Sequence, residues 1–471
     1  MLHDLFPLPL NTIERYVLCE DSKECLWTFV IAAQLRGRLN RDALEQAIEE
    51  ALERHPLLDS VVESRALRTP VFVPGKDRRC PVKWVQTDDR ATVGSLTRHQ
   101  FDLSRETGLR VIVISDNDRA TVHFEFHHCT TDGIGAIEFI CDVLARYANL
   151  TSDANLDLPP LDPMLLRQRS VRASLVESAG SWSAFASGLT RETAKILGRW
   201  TSPLARNRES RCEDREPIGY PGSRSRRIPD VLKALRRAAA AHNATVNDLV
   251  MASMMRMLHW WNDRQGQDAD RQWFRLYIPV NLREPRHDHI PAVNLASCVM
   301  LTHRGKSFHD VAGLTRNLSS HIGTLVRLRH EIAWQRVAAV FTIIPGMKAA
   351  MGIAPKSTAI VTNVGDLRRR FPVRFPSEDG RCVVGDVILE DLISSAPLRR
   401  GNHATLSLST YAGGLTLNLT LQPNGFSGQD CEEMLSWLEN DLVAIATPFL
   451  PDGWQGNAPP GTPEFQAQHE S

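Results

Sequence analysis

Apolar and polar positions along this chain switch repeatedly between a period of two and a period near 3.6. Residues 27–35 and 81–85 read as strands. Between them Leu44, Ala47, Ile48, Ala51, Leu52 and His55 fall at i, i+3, i+4, i+7, i+8 and i+11, the stripe of a helix that Pro56 ends. Residues 110–115 and 120–127 are two apolar runs around the turn former cluster 116–119, a hairpin signal. Beyond Gly133, Ile134, Ile137, Cys141 and Leu144 recur at helical spacing. The second half repeats the style. A helix begins at Leu232, Leu235 and Ala239, with strands over 274–280 and 359–365 and helices over 311–328, 332–341 and 427–446. Leu406 and Leu408 precede Gly413-Gly414, and Leu415, Leu417, Leu419 and Leu421 follow in alternation. That pattern predicts a hairpin with a Gly-Gly turn and one buried face.

Breaks in the pattern divide the chain. Residues 151–163 are rich in turn formers. A weakly patterned helix over 165–200 and a polar loop over 206–222 carry no chemical motif. The expected division is a first subdomain over 1–165, a linking helical and loop segment over 166–228, a second subdomain over 229–451 and a disordered tail over 452–471. With 471 residues, 42% of them hydrophobic, two sizeable cores are expected. Lys and Arg (55) balance Asp and Glu (55), so no global field recommends nucleic acid. Nine cysteines show no framework spacing and the N-terminus has no basic stretch leading into an apolar core, which fits a reduced, cytoplasmic setting. No apolar run approaches transmembrane length; peripheral membrane contact stays open.

The densest chemistry is His127-His128-Cys129-Thr130-Thr131-Asp132-Gly133, at a strand-to-helix junction. Histidine exchanges a proton near neutral pH. Neighbouring histidines in an extended segment point to opposite faces, so one of the two faces a given substrate. Asp132 can fold back as a cap or pair with a distant cation, and Gly133 can supply a positive φ at the turn. The alternative is a buried, hydrogen-bonded histidine pair followed by an N-capping aspartate. A metal site is not expected: no cysteine or carboxylate stands at ligand spacing, and Cys19 and Cys25 are too far apart for a Cys-x-x-Cys knuckle.

As a whole, His-His-x-x-x-Asp-Gly resembles the signature of the acyltransferase superfamily of condensation domains, alcohol acetyltransferases, polyketide-associated acyltransferases and wax ester synthases. Other stretches resemble the same family: the opening 6–16, near the cleft in relatives, His55-Pro56-Leu57-Leu58, Phe101-Asp102-Leu103, and Asn294 with Ser297. Val246-Asn247-Asp248 resembles the wax ester synthase branch, although Thr245 with Asp248 also reads as a capping box. Ala359 to Gly365 resembles a Ser-Asn-x-Gly strand end with Thr362 for Ser. The Asp-Phe-Gly-Trp-Gly segment of plant-type relatives is absent.

The resemblance implies an α/β fold of two chloramphenicol-acetyltransferase-like subdomains, a V-shaped pseudo-dimer with a central tunnel and His128 near its middle. It makes His128 the general base, His127 a minor contributor, and Asp132 and Gly133 structural. Arg283 becomes the partner of Asp132, with a solvated loop cation as the alternative. Thr362 and Asn363 become donors to a developing oxyanion, with a polar turn as the alternative. The implied reaction moves an acyl group from a thioester, acyl-CoA or a phosphopantetheinyl carrier protein, to the hydroxyl or amine of a small-molecule or lipid acceptor, with no permanently bound cofactor. Arg224, Arg226 and Arg227, or 368–370, could meet coenzyme phosphates or form a solvated face. Two other readings remain: a carrier-protein-dependent, amide-forming condensation protein, and a catalytically idle module that binds a thioester or an acyl carrier protein.

Overall fold

The computed structural model describes residues 2–23, 25–64, 68–75, 80–86, 99–116, 118–169, 190, 194, 198–207, 223–331, 357–399, 401–422, 425–451 and 454. The helix read over 332–341, most of 165–200 and 206–222, and nearly all of the tail lie outside the described residues.

The alternating runs of the first half become a seven-stranded sheet. Its order is Ser377–Glu378, Arg381–Val384, Val387–Ser395, Thr28–Arg36, Arg119–His127, Leu109–Ser115 and Val82–Gln86. The hairpin forms where the turn residues place it, with Asp116 Oδ1 accepting the backbone N–H groups of Asp118 and Arg119. The stripe beginning at Leu44 lies on the helix Arg41–Arg54, capped by Asn40. It packs beside the helix Gly133–Thr151 over one sheet face. Phe124 and Phe126 of the strand meet Phe139 of that second helix edge to face, at 6.3 and 6.0 Å. Each such buried ring contributes on the order of 1.5–3 kcal/mol, which fixes the helix over the sheet.

The second half builds a six-stranded sheet in the order Ala296–Arg304, Trp273–Asn281, Ala359–Asp366, Ala404–Tyr411, Gly414–Leu421 and Ser223–Ile228. The helices Leu232–Ala241, Val246–Arg264, Val311–Arg327 and Gly428–Ala446 bury its apolar face. Thr245 and Asp248 form the anticipated reciprocal cap.

Three expectations change. The two-residue turn of the last hairpin is Ala412-Gly413, at φ 44° and 78°, and Gly414 already pairs with Tyr411. Left-handed backbone at both central positions is the turn type whose twist suits a hairpin, so the register moves by one residue. The strand Gly414–Leu421 is buried on both faces. Its polar positions are covered by Val387–Ser395: Thr416 Oγ1 donates to Asp391 at 2.6 Å and Asn418 Nδ2 to Ser395 Oγ at 2.8 Å. That same strand pairs antiparallel with Thr28–Arg36, from Ile388 opposite Arg36 to Ser395 opposite Val30. Part of 229–451 therefore completes the first sheet, and the two halves are joined by a shared strand.

Candidate active site

The motif strand Arg119–His127 alternates as expected. His123, Glu125 and His127 point one way, while Val122, Phe124 and Phe126 point into the first core. His128 continues the phenylalanine side, its ring 5.0 Å from Phe29 and 5.8 Å from Trp27. It is half-buried and lines a cavity enclosing about 830 Å³, part of it open to solvent. The lining comes from both halves: Tyr16, Trp27, His128, Asp132 and Gly133 from the first, Tyr277, Asn294 and Thr362 from the second.

Burial lowers the pKa of His128, outweighing the Asp132 charge and the residue's own carbonyl, both of which raise it. The imidazole is therefore neutral near pH 7. A neutral imidazole has one bare nitrogen, and Nε2 is that atom in the tautomer protonated at Nδ1. Asn294 braces the arrangement. Its Nδ2 donates to the His128 carbonyl at 2.6 Å and lies 3.1 Å from Nδ1, while its Oδ1 accepts from the Ala296 backbone at 3.2 Å.

Asp132 caps the following helix, Oδ1 accepting from Ile134 and Gly135 backbone N–H groups at 3.1 and 2.9 Å. Arg283 grips both oxygens, at 2.8 and 3.0 Å, and the Leu295 N–H donates to Oδ2 at 2.8 Å. Burial alone would raise this carboxyl's pKa; the Arg283 charge and these bonds bring it below the usual carboxylate range. Arg283 also donates to the Val293 carbonyl. The anticipated pair thus forms, as a bidentate fork across 151 residues.

Other expected residues fall elsewhere. His127 is fully buried on the opposite face; its Nδ1 accepts from the Cys129 N–H at 3.1 Å and its Nε2 lies 3.7 Å from Asp21. It does not line the cavity. Gly133 is the first residue of its helix without a positive φ, so the turn does not demand glycine. A Cβ there would lie 3.4 Å from Val364. The glycine of close approach is Gly135, whose Cβ would come within 2.5 Å of Thr131 Oγ1 and 2.9 Å of the Val293 nitrogen. Thr362 lines the cavity, but Asn363 is exposed. Its Nδ2 donates to Asn247 and its Oδ1 accepts from Gly365, so it sits in the polar turn that ends its strand and does not line the cavity.

The basic clusters are mostly engaged within the chain. Arg226 pairs with Glu432 and Glu439, Arg227 with Asp391, and Arg369 with Asp366. His55 bridges Asp142 and the Ala292 N–H as packing. Among the described residues, His259, Asp270 and His309 form a group able to hold a metal ion; none of them lines the cavity. No helix among the described residues is long and apolar enough to cross a membrane.

Tyr16, from the opening stretch, also lines the cavity, as do Trp27, Tyr277 and Arg399, which were not singled out from the sequence as site residues. Tyr277 had a signal. Phe274, Leu276 and Ile278 take the core face of their strand, which leaves Tyr277 and Pro279 for the other.

Comparison with known proteins adds three likenesses. The chain is 25% identical over 270 residues to the isonitrile lipopeptide synthase of Mycobacterium tuberculosis, 53% of this chain but 10% of the synthase. The trichothecene 15-O-acetyltransferase TRI3 of Fusarium sporotrichioides superposes at a TM-score of 0.66 with 13% identity, over 92% of this chain and 93% of that one. The starter condensation domain of rhizomide synthetase RzmA, solved with C8-CoA, gives 0.62 at 14% identity, over 93% and 94%. These neighbours carry the two-subdomain fold related to chloramphenicol acetyltransferase. The family model described as the condensation domain matches residues 17–268, which take in the whole histidine motif and the helices Leu232–Ala241 and Val246–Arg264 of the second half, and on that match the chain belongs to the condensation-domain family.

Proposed function

We propose that the protein is an acyltransferase in which Nε2 of His128 takes the proton of a hydroxyl or amine acceptor as it attacks a thioester carbonyl. The carbon–sulfur bond breaks as the new ester or amide bond forms, and the thiolate leaves with the proton returned from the imidazole. The observation that supports this most is the neutral, braced His128 at a cavity lined by both halves. Asp132 and Arg283 hold the junction and do not touch the reacting atoms. The Thr362 hydroxyl is the candidate donor to the oxyanion. Acyl-CoA as donor is supported by the fold-level likeness to a condensation domain holding C8-CoA. A carrier-protein-bound donor and an amide product are favoured instead by the sequence likeness to a lipopeptide synthase.

The test is turnover of acyl-CoA and of acylated carrier protein with a panel of alcohols and amines. His128→Ala should lower the rate by about 10²–10⁴-fold while leaving the thermal melt of the protein unchanged. Equal rates in the two proteins would overturn the base assignment and favour a thioester-binding module.

A further inference from the structure

Acyl transfer at His128 leaves one charged side chain of the cavity without a task. Arg399 follows the shared strand through Ala396 and Pro397, which line the same space. Its guanidinium carbon lies 4.5 Å from the Tyr277 ring, 5.4 Å from Trp27 and 5.7 Å from Tyr16, and one N–H donates to the Tyr16 hydroxyl. Aromatic faces suit a cation but accept few of its five N–H groups. Arg54, Arg169 and Arg283 each face a carboxylate at hydrogen-bond distance. No described carboxylate comes within 4.0 Å of Arg399, and Glu20 acts on it only from farther away. The tyrosines do not supply the missing charge. Burial pushes the Tyr16 phenol up to about 12 and the Tyr277 phenol well above its ordinary value.

A second donor points the same way. Trp27 is 8% exposed and its indole N–H has no acceptor among the described residues. The indole ring lies close to both groups, 5.4 Å from the Arg399 guanidinium carbon and 5.8 Å from the His128 ring. A carboxylate is acceptor-only, and its planar pair of oxygens matches a guanidinium edge whose faces are already stacked.

We propose that Arg399, with the Trp27 indole N–H, forms an anion subsite that docks a carboxylate of one of the two substrates while the reacting atom sits at His128. The subsite itself stands on Arg399 and Trp27; its service to catalysis rests on the acyl-transfer reading. A binding measurement therefore separates the two. Calorimetric titration should show octanoate bound at least tenfold more tightly than octanamide. Arg399→Gln should remove that difference while octanamide affinity stays within twofold, and Arg399→Lys, which keeps the charge but not the fork, should retain part of it. Equal affinity for both ligands in the native protein, a comparison that needs no variant to fold, would overturn the proposal. So would a preference that survives in Arg399→Gln. The source of the anion follows from equilibrium dialysis of two matched pairs. Tighter binding of the N-acetylcysteamine thioester of hexanedioate than of hexanoate places the carboxylate on the acyl chain. Tighter binding of 6-aminohexanoate than of hexylamine places it on the acceptor. No preference in either pair counts against the subsite. Failure of His128→Ala to slow turnover would leave these outcomes untouched.

Discussion

The two sides of the cavity are built on opposite terms. Around the motif, bonds converge on two side chains: Asp132 accepts from Arg283 and three backbone N–H groups, and Asn294 is committed at both ends of its amide. On the other side, Arg399 is hydrogen-bonded to Tyr16 alone among the described residues, and the Trp27 indole N–H has no acceptor among them. Saturated bonding fixes geometry, whereas open bonding costs desolvation that an incoming partner can relieve. The first side is made to hold an imidazole still. The second is made to be completed.

The saturated side should break hardest. Asp132→Ala or Arg283→Ala leaves one member of a buried pair uncompensated, an expected loss of about 3–5 kcal/mol in urea unfolding. Asp132→Ala combined with Arg283→Ala should lose less than the two single changes added together. Full additivity would show that the fork is not a coupled unit.

That side also holds buried atoms without a bond, Arg283 Nε and His127 Nε2 among them, and Glu125 is the extreme case. Glu125, on the strand face opposite His128, is fully buried with neither oxygen bonded, and Arg110 is 4.0 Å away. Burial raises its carboxyl from 4.5 to about 7. The folded state thus holds a proton that the unfolded chain releases first. Its contribution is whole below pH 4.5 and lost as pH rises through about 7. That loss is about 3 kcal/mol, and Glu125→Gln should flatten this part of the stability–pH curve. An unchanged curve would mean that Glu125 is not the group titrating.

The smallest effects separate two glycines. Gly135→Ala drives a Cβ into backbone and should cost about 1–3 kcal/mol. Gly133→Ala meets only ordinary contact and should change the melt by less than about 1 kcal/mol. Equal costs would erase the distinction between the close approach at one position and the open cavity wall at the other.

Legibility in the sequence followed the range of the interaction. Strand, turn, cap and helix around His128 are local, so period and capping chemistry place them within a residue or two. The Arg283 fork spans 151 residues and came only through resemblance, since no spacing rule connects the two positions. Asn363 carried the same kind of likeness, yet its local bond to Gly365 turned it away from the cavity. Thr416, Asn418 and Thr420 look like a solvent face because alternation reports polarity, not what later covers it. Arg399 had no local signal. Its meaning depends on the rings of Tyr16, Trp27 and Tyr277, all far from it in the chain.

The strand Val387–Ser395 also bears on how the molecule is made. Its partner Thr28–Arg36 emerges from the ribosome some 350 residues earlier and must wait with a bare hydrogen-bonding edge. Closing so long a loop is slow, and an unpaired apolar strand invites association with other nascent copies meanwhile. A fragment cut at residue 268, where the family match stops, would carry the whole histidine motif and still lack the piece that seals its sheet.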